Sequence, residues 1–311
     1  MKKEFLMDKK KALVLINSSA GAGKAADGVW DMITKLTANG YDPVVYPIIP
    51  GTDFNAENII KGHDGFIDLV LCSGGDGTLN HVIQGIMEMK RKPVIGYIPA
   101  GSTNDFASSM KIPKNFGQAL DIAVCGRPYT YDIGVMNGTY FNYISAFGAF
   151  SAVSYDTNRS LKKLFGHTAY VIKSAIDIRR NLKYRRHIRI EADDKIIEGD
   201  FAFGAVCNSE SVGGYKITGS DSSFDDGKLE LLLVKCPEKR GDLRKIIREL
   251  KKGKMNGSHV IYHQAKRVRF ISKDVIDWTI DGEFGGTCME TDISVIPLAV
   301  TIMTSPETEQ N

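Results

Sequence analysis

No apolar run in the 311-residue chain approaches the roughly 18 residues that a membrane-spanning helix needs. The opening residues, Met1 to Lys10, are charged and lead into no apolar signal-peptide core, so no exported form is expected. Cysteine is sparse: five residues, an odd and scattered set without a C-x-x-C pair. That pattern speaks against a disulfide framework or a zinc site and predicts packed, reduced thiols in the cytoplasm. A complete P-loop is missing too. The first candidate loop, Asn17-Ser18-Ser19-Ala20-Gly21-Ala22-Gly23-Lys24, has Ser18 where that signature needs glycine, and it is followed by Ala25 where it needs Ser or Thr. Nor is there a marked excess of one charge: 40 Lys+Arg face 37 Asp+Glu, and the net +3 singles out no partner class. With 43% apolar and 25% charged residues, the composition excludes a disordered or collagen-like chain. The length suits two domains better than one.

What is present is organised around Leu69-Val70-Leu71-Cys72-Ser73-Gly74-Gly75-Asp76-Gly77-Thr78-Leu79-Asn80. Four apolar residues in a row read as a buried strand. The glycines let the backbone approach a bulky anion. From Thr78 onward, Leu79, Val82, Ile83 and Ile86 share one face of a helix, whose N-terminal N–H groups would point into the loop. An aspartate in such a loop suits a metal, a hydroxyl or a ribose; otherwise Asp76 is an ordinary helix N-cap. Residues 12–16 form a second buried-type strand, and the small-residue loop after it carries Lys24 into the helical pattern Val29, Ile33, Leu36. Gly21-Ala22-Gly23-Lys24-Ala25-Ala26 fits G-x-G-x-x-A, a lone match that leaves phosphate contact and a plain surface turn both open.

Strands at 44–48 and 94–98 and helices at 55–62 and 116–125 follow, the last closed by Gly126. Strand–helix alternation predicts an α/β domain with a parallel, helix-covered sheet over roughly the first 130 residues. Three polar loops, 17–24, 74–80 and 99–106, all follow strands and are expected on one edge, where such sheets bind ligands. From Tyr131 the period changes. Strands at 132–135, 140–143, 187–192, 201–207, 229–235, 259–263, 267–271, 276–281 and 293–303, with helices only at 160–181 and 240–252, predict a second, mainly antiparallel, sandwich-like domain.

Between Arg159 and Ile190 ten Lys/Arg stand against one acid, Asp177. That segment suits anionic headgroups, nucleic acid or a plain solvated face. The run Lys239 to Lys254 reads as an ordinary solvated helix. Two acidic turns complete the inventory. Phe224-Asp225-Asp226-Gly227-Lys228-Leu229 is a turn whose oxygens could hold a hard cation. Asp281-Gly282-Glu283-Phe284-Gly285 looks like a hairpin tip whose carboxylates, two residues apart, could reach a cleft.

In this order, Gly74-Gly75-Asp76-Gly77-Thr78-Leu79-Asn80, Pro99-Ala100-Gly101-Ser102-Thr103-Asn104-Asp105-Phe106, Asp132-Ile133-Gly134, Asp225-Asp226-Gly227 and Asp281-Gly282-Glu283-Phe284-Gly285-Gly286 resemble the bacterial soluble diacylglycerol kinase family, related to sphingosine kinases and more distantly to NAD kinases. The resemblance runs from about residue 11 to 303. It implies an ATP-dependent, magnesium-requiring lipid kinase of two domains: residues 1–131, joined by about 290–311, bind ATP, and a β-rich part, 132–289, takes diacylglycerol or a similar lipid alcohol. By the same resemblance Asn17, Ser18, Ser19, Ala20 and Gly21, the loop Gly75, Asp76, Gly77, Thr78, Leu79, Asn80 and His81, and Ser102 contact the nucleotide. Glu283 is implied as general base. Asp76, Asp105, Asp132 and Asp281 belong to the polar network near the catalytic magnesium. Asp226 with the carbonyls of Ser223 and Lys228 forms a structural magnesium site. The implied partner is a lipid at the membrane surface, without nucleic acid, for a cytoplasmic, peripherally associated protein that could form a homodimer. The chain departs from the family pattern at Ser18, usually proline, at His81, usually glutamate, and across 213–220, which lacks Ala-Pro-x-Ala. An NAD kinase-like enzyme and an inactive nucleotide-binding regulator stand as alternatives.

Overall fold

The computed structural model describes residues 9–17, 28–49, 51–101, 104–148, 184–208, 211–212, 215–216, 223–251 and 257–305. The helix expected at 160–181, the basic residues 159–183 and most of 213–220 lie outside the described residues. The chain divides into two compact units, residues 1–131 with 298–311, and residues 132–297.

In the first unit the run Ala12 to Ile16 is wholly buried in β1 (Lys10–Asn17). It is followed by α1 (Val29–Ala38), β2 (Tyr41–Ile48), α2 (Ala56–Lys61), β3 (Leu69–Gly74), α3 (Asp76–Met87), β4 (Val94–Pro99), α4 (Asp105–Ser109) and α5 (Phe116–Cys125). The strands pair in parallel in the order β2-β1-β3-β4, and the C-terminal strand of the chain adds to β4 through Ile302 opposite Ile95. Continuous apolar runs are what strands covered on both faces require. In register, Ile16 lies opposite Ser73 and Gly74 opposite Pro99. The carboxyl ends of β1, β3 and β4 therefore finish side by side. Leu79, Val82, Ile83 and Ile86 of α3 are buried, as their spacing predicts. Asn55 and Asn115 cap α2 and α5 by accepting the N–H groups of Asn58 and Gln118. Gly126 ends α5 in an extended conformation; a Cβ there would run into the carbonyl oxygens of Ile122 and Thr304.

The second unit takes up the chain within β5 (Arg127–Met136), which forms a hairpin with β6 (Thr139–Phe141). Its two-residue turn is Asn137-Gly138, both at positive φ, as the twist of a tight hairpin demands. Then come β7 (Ile144–Gly148), β8 (Arg186–Ala192), β9 (Lys195–Cys207), the short pair β10 (Ser211–Val212) and β11 (Tyr215–Lys216), β12 (Leu229–Lys235), α6 (Arg240–Lys251), β13 (Val260–Ala265), β14 (Arg267–Ile280) and β15 (Glu283–Thr304). All pairings are antiparallel along β13-β12-β9-β7-β14-β15, and β8 pairs with both β9 and β14. β12 explains why Leu-Glu-Leu-Leu-Leu-Val hardly alternates. Leu231 and Leu233 enter a core centred on Trp278, Phe147 and Phe270, while Leu232 and Val234 meet Leu243, Ile246 and Leu250 of α6. The three aromatic rings pack edge to face at 5.0–5.7 Å between centroids.

Candidate active site

The residues singled out above fall into one group in each unit. In the first, Gly75 precedes α3 in an extended conformation, and Asp76 is the helix's first residue. Asp76 is therefore not the N-cap: its Oδ1 accepts the Phe106 N–H of α4 at 3.2 Å. This ties the Gly-Gly-Asp-Gly-Thr loop to the one that follows β4. The two loops touch as backbones, since a Cβ on Gly101 would stand 2.6 Å from the Cα of Gly75. Asn104, at φ 54, holds that approach by accepting Gly101 N–H at 2.9 Å and donating to Gly101 O at 2.8 Å. Asn17, at the end of β1, donates to Thr78 Oγ1 at 2.9 Å. Gly75, the N-cap of α3, has no side chain with which to cap it, and the first-turn N–H groups and positive dipole end suit a phosphate.

Leu79 is fully buried, so of the loop it offers a ligand only backbone. Asn80 accepts from Gln84, and His81 is tied by Nδ1 to Glu57 of α2 at 2.7 Å. Ser18, Ser19, Ala20, Gly21 and Ser102 lie outside the described residues. Asp105 opens α4, and its side chain also lies outside what is described.

In the second unit the acids are joined by one run of hydrogen bonds. Asp132, fully buried on β5, donates its N–H to Phe224 O at 2.7 Å and accepts the Gly227 N–H on Oδ2 at 2.6 Å. The 223–228 turn is thereby anchored to β5. Asn208, buried just after β9, donates Nδ2 to Asp132 O at 2.5 Å and its own N–H to Tyr143 O at 2.9 Å. Tyr143 N–H in turn reaches Asp281. That carboxylate accepts three consecutive backbone N–H groups, Asn142 at 2.7 Å on Oδ2 and Tyr143 at 3.0 Å and Ile144 at 2.9 Å on Oδ1. Asp281 N–H completes the clamp on Ile144 O at 2.8 Å. Asp281 and Gly282, at φ 46 and 87, form the tight turn between Ile280 and Glu283, which pair across the hairpin. Glu283 follows at the exposed start of β15.

The hairpin-tip pattern alone put Asp281 and Glu283 on a par, both within reach of a cleft; their surroundings differ. Sequence reasoning missed Asn208, which as a polar residue at a strand end looks like any turn residue. Burial, and after it the charges of Glu230 and Asp281, push the Cys207 thiol well up.

The 223–228 turn offers hard oxygens. Asp225 accepts from Ser223 Oγ at 2.5 Å and Asp226 from Lys228 N–H at 2.9 Å. Among the described residues no three His, Cys, Asp or Glu side chains converge as a metal site. A cation held here would use Asp226 with backbone carbonyls, a donor set that fits magnesium or calcium rather than a softer ion.

Residues 11–136 match the family described as diacylglycerol kinase catalytic domain, and residues 144–304 match the YegS C-terminal NAD kinase beta sandwich-like domain. A diacylglycerol kinase of Bacillus subtilis (strain 168) is 32% identical over 278 residues, covering 89% of this chain and 91% of that protein. One from Staphylococcus epidermidis (strain ATCC 12228 / FDA PCI 1200) is 32% identical over 281 residues, 89% of this chain and 87% of its own. The crystal structure of a diacylglycerol kinase from Bacillus anthracis str. Sterne superposes with a TM-score of 0.79 at 20% identity, covering 97% of this chain and all of that one, which is a likeness of fold. By two-domain architecture, identity and coverage together, the chain belongs to the diacylglycerol kinase family of phosphotransferases.

Proposed function

We propose that the protein is an ATP-dependent, magnesium-requiring kinase that phosphorylates the hydroxyl of diacylglycerol or a similar lipid alcohol. The observation that carries this reading is the hairpin tip at 281–283. One carboxylate is committed to three backbone N–H groups, and the other, two residues on, begins a strand fixed by that commitment. A base for phosphoryl transfer must be held in position before it can take a proton. ATP supplies the phosphoryl group, and magnesium neutralises its charge. In the first unit, the backbone N–H groups of residues 75–78 hold phosphate oxygens, with Asn17 to Gly21, Leu79, Asn80, His81 and Ser102 completing the nucleotide contacts. Asp76 and Asp105 belong to the polar network near the catalytic magnesium. In the second, Glu283 accepts the proton of the lipid hydroxyl, Asp132 and Asp281 hold its surroundings, and Asp226 with the carbonyls of Ser223 and Lys228 holds a structural cation.

Among the described residues no helix is long and apolar enough to cross a membrane. On this reading the lipid is collected from a membrane surface by a cytoplasmic, peripherally bound protein, with no part for nucleic acid. A homodimer belongs to the same reading and is checked by light scattering. The functional test is transfer from labelled ATP to a lipid extract in micelles, with and without Mg²⁺ and with NAD assayed in parallel. A magnesium-dependent phosphatidic acid band is expected. Glu283→Gln is expected to lower kcat by about 10²–10⁴-fold at an unchanged urea midpoint. Full activity in that variant removes Glu283 as base. Labelled NAD without labelled lipid replaces the acceptor, and silence with both removes the kinase reading.

A further inference from the structure

From Lys239 to Lys254 the chain carries eight Lys/Arg and two acids, Asp242 and Glu249. The sequence alone suggests a solvated helix of mixed charge, but the fold separates the signs. Leu243, Ile246 and Leu250 of α6 are buried against Phe203, Leu232 and Val234. Both acids turn to that same inner side. Asp242 accepts the N–H groups of Lys239 at 3.0 Å and Glu238 at 3.3 Å and stands 3.5 Å from Nε2 of His259. Glu249 accepts those of Ser258, His259 and Val260 at 3.1–3.2 Å. The backbone contacts, with Lys245 beside Asp242, hold Asp242 below the usual carboxylate range; backbone and Ser258 hydrogen bonds likewise hold Glu249 down against its burial. Both therefore stay charged and occupied.

The outer face is left with Arg244, Lys245 and Arg248, all exposed. Among the described residues no carboxylate lies within ion-pair distance of Arg244 or Arg248, which stand one turn apart, an arrangement that destabilises an isolated helix. Among the described residues from 238 to 251 the one exposed acid is Glu238, before the helix begins. Solvated helices ordinarily alternate charge on this face.

We propose that the outer face of α6 is a docking surface for anionic phospholipid headgroups, engaged through Arg244, Lys245 and Arg248. The inference rests on the lipid-surface reading above and adds the place of contact. The apolar side of the helix is already covered by the sheet, so the contact is one of charge, without insertion. Among the described residues of this face the exposed side chains are cations and none is aromatic, so headgroups fit it better than single-stranded nucleic acid.

The test is co-sedimentation of the full chain with vesicles of phosphatidylglycerol mixed into phosphatidylcholine, and with phosphatidylcholine alone. Binding only to the anionic vesicles, weakening with added salt, is expected. Arg244→Glu/Arg248→Glu is expected to weaken it about tenfold or more, while Lys195→Glu/Lys273→Glu, an equal change of charge elsewhere in the same unit, is expected to weaken it far less. Transfer to a short-chain diacylglycerol in detergent micelles, and the urea midpoint, are expected to be the same in the α6 variant as in the wild type. Equal loss in both double variants, no loss in either, no binding by the wild type, or retention of RNA with vesicles ignored each overturns the proposal. Absent micellar transfer in the wild type is a separate failure, that of the lipid-kinase reading.

Discussion

At the scale of single residues, Asp281 does two jobs that the same side chain is suited to. Its backbone accepts φ 46, and its carboxylate satisfies three N–H groups, those of the two-residue link after β6 and of Ile144 at the start of β7. Asparagine tolerates that backbone and keeps one acceptor oxygen, whereas alanine does neither. Asp281→Ala is expected to lower unfolding stability by about 2–4 kcal/mol, and Asp281→Asn by roughly 1 kcal/mol, in urea denaturation. If Asp281 acts through the hairpin, Asp281→Asn keeps a substantial share of kcat with the KM for lipid unchanged; a loss as deep as in Glu283→Gln would give Asp281 a direct part. The motif around Asp281 was legible in the sequence. Its partners were not, because Ile144 lies 137 positions away.

At the scale of elements, boundaries shifted where a tertiary contact, rather than a local pattern, fixed them. Helix α3 begins at Asp76, three residues before its first apolar position, because Gly75 is extended and Asp76 reaches across to Phe106. The five-residue α4 was not foreseen, being too short for a helical period to show. The strand expected at 201–207 starts at Lys195, where charged residues and Gly199 hide it; pairing with β8 defines it, Ile197 opposite Ile190.

On that β8–β9 hairpin, His187 donates or accepts at 2.9 Å from Asp200 and 3.3 Å from Glu198. The hydrogen bond to Asp200, and then that to Glu198, raise its pKa above the ordinary 6.5. A raised folded-state value means that the stabilisation is fully present below the unfolded value of about 6.5 and is lost as pH climbs through the raised one. The thermal midpoint of His187→Gln is therefore expected to fall further below wild type at about pH 6 than at about pH 9. An equal difference at both would remove the charged form from the account.

For the whole molecule, the two units each carry a buried thiol. Burial pushes Cys72 in β3 up to about 12. Cys207 in β9 is pushed well up by burial, then by Glu230 and Asp281. Both are neutral at about pH 8, where only a thiolate reacts. Alkylation followed by mass spectrometry is expected to label the exposed Cys125 in the folded protein and to reach Cys72 and Cys207 only as urea unfolds it. Strands β5 and β15 both run through the boundary between the units, so one shared midpoint for Cys72 and Cys207 is expected. Two separated midpoints would show that the units unfold independently.

The sequence by itself determined the strand–helix alternation of the first unit, the change of period near residue 131 and the chain of motifs that carries the family. Those depend on short-range patterns: apolar runs that must be buried, glycines that permit close approach, and caps within a turn of what they cap. Only the tertiary structure decided how each charged group is used. Asp76 and Asp281 hold backbone N–H groups on neighbouring loops, Asn208 links Asp132 to Tyr143, and α6 turns its acids inward and leaves Arg244 and Arg248 exposed. A carboxylate's role depends on which donors come within about 3 Å of it, and those donors are brought there by segments far away in the chain.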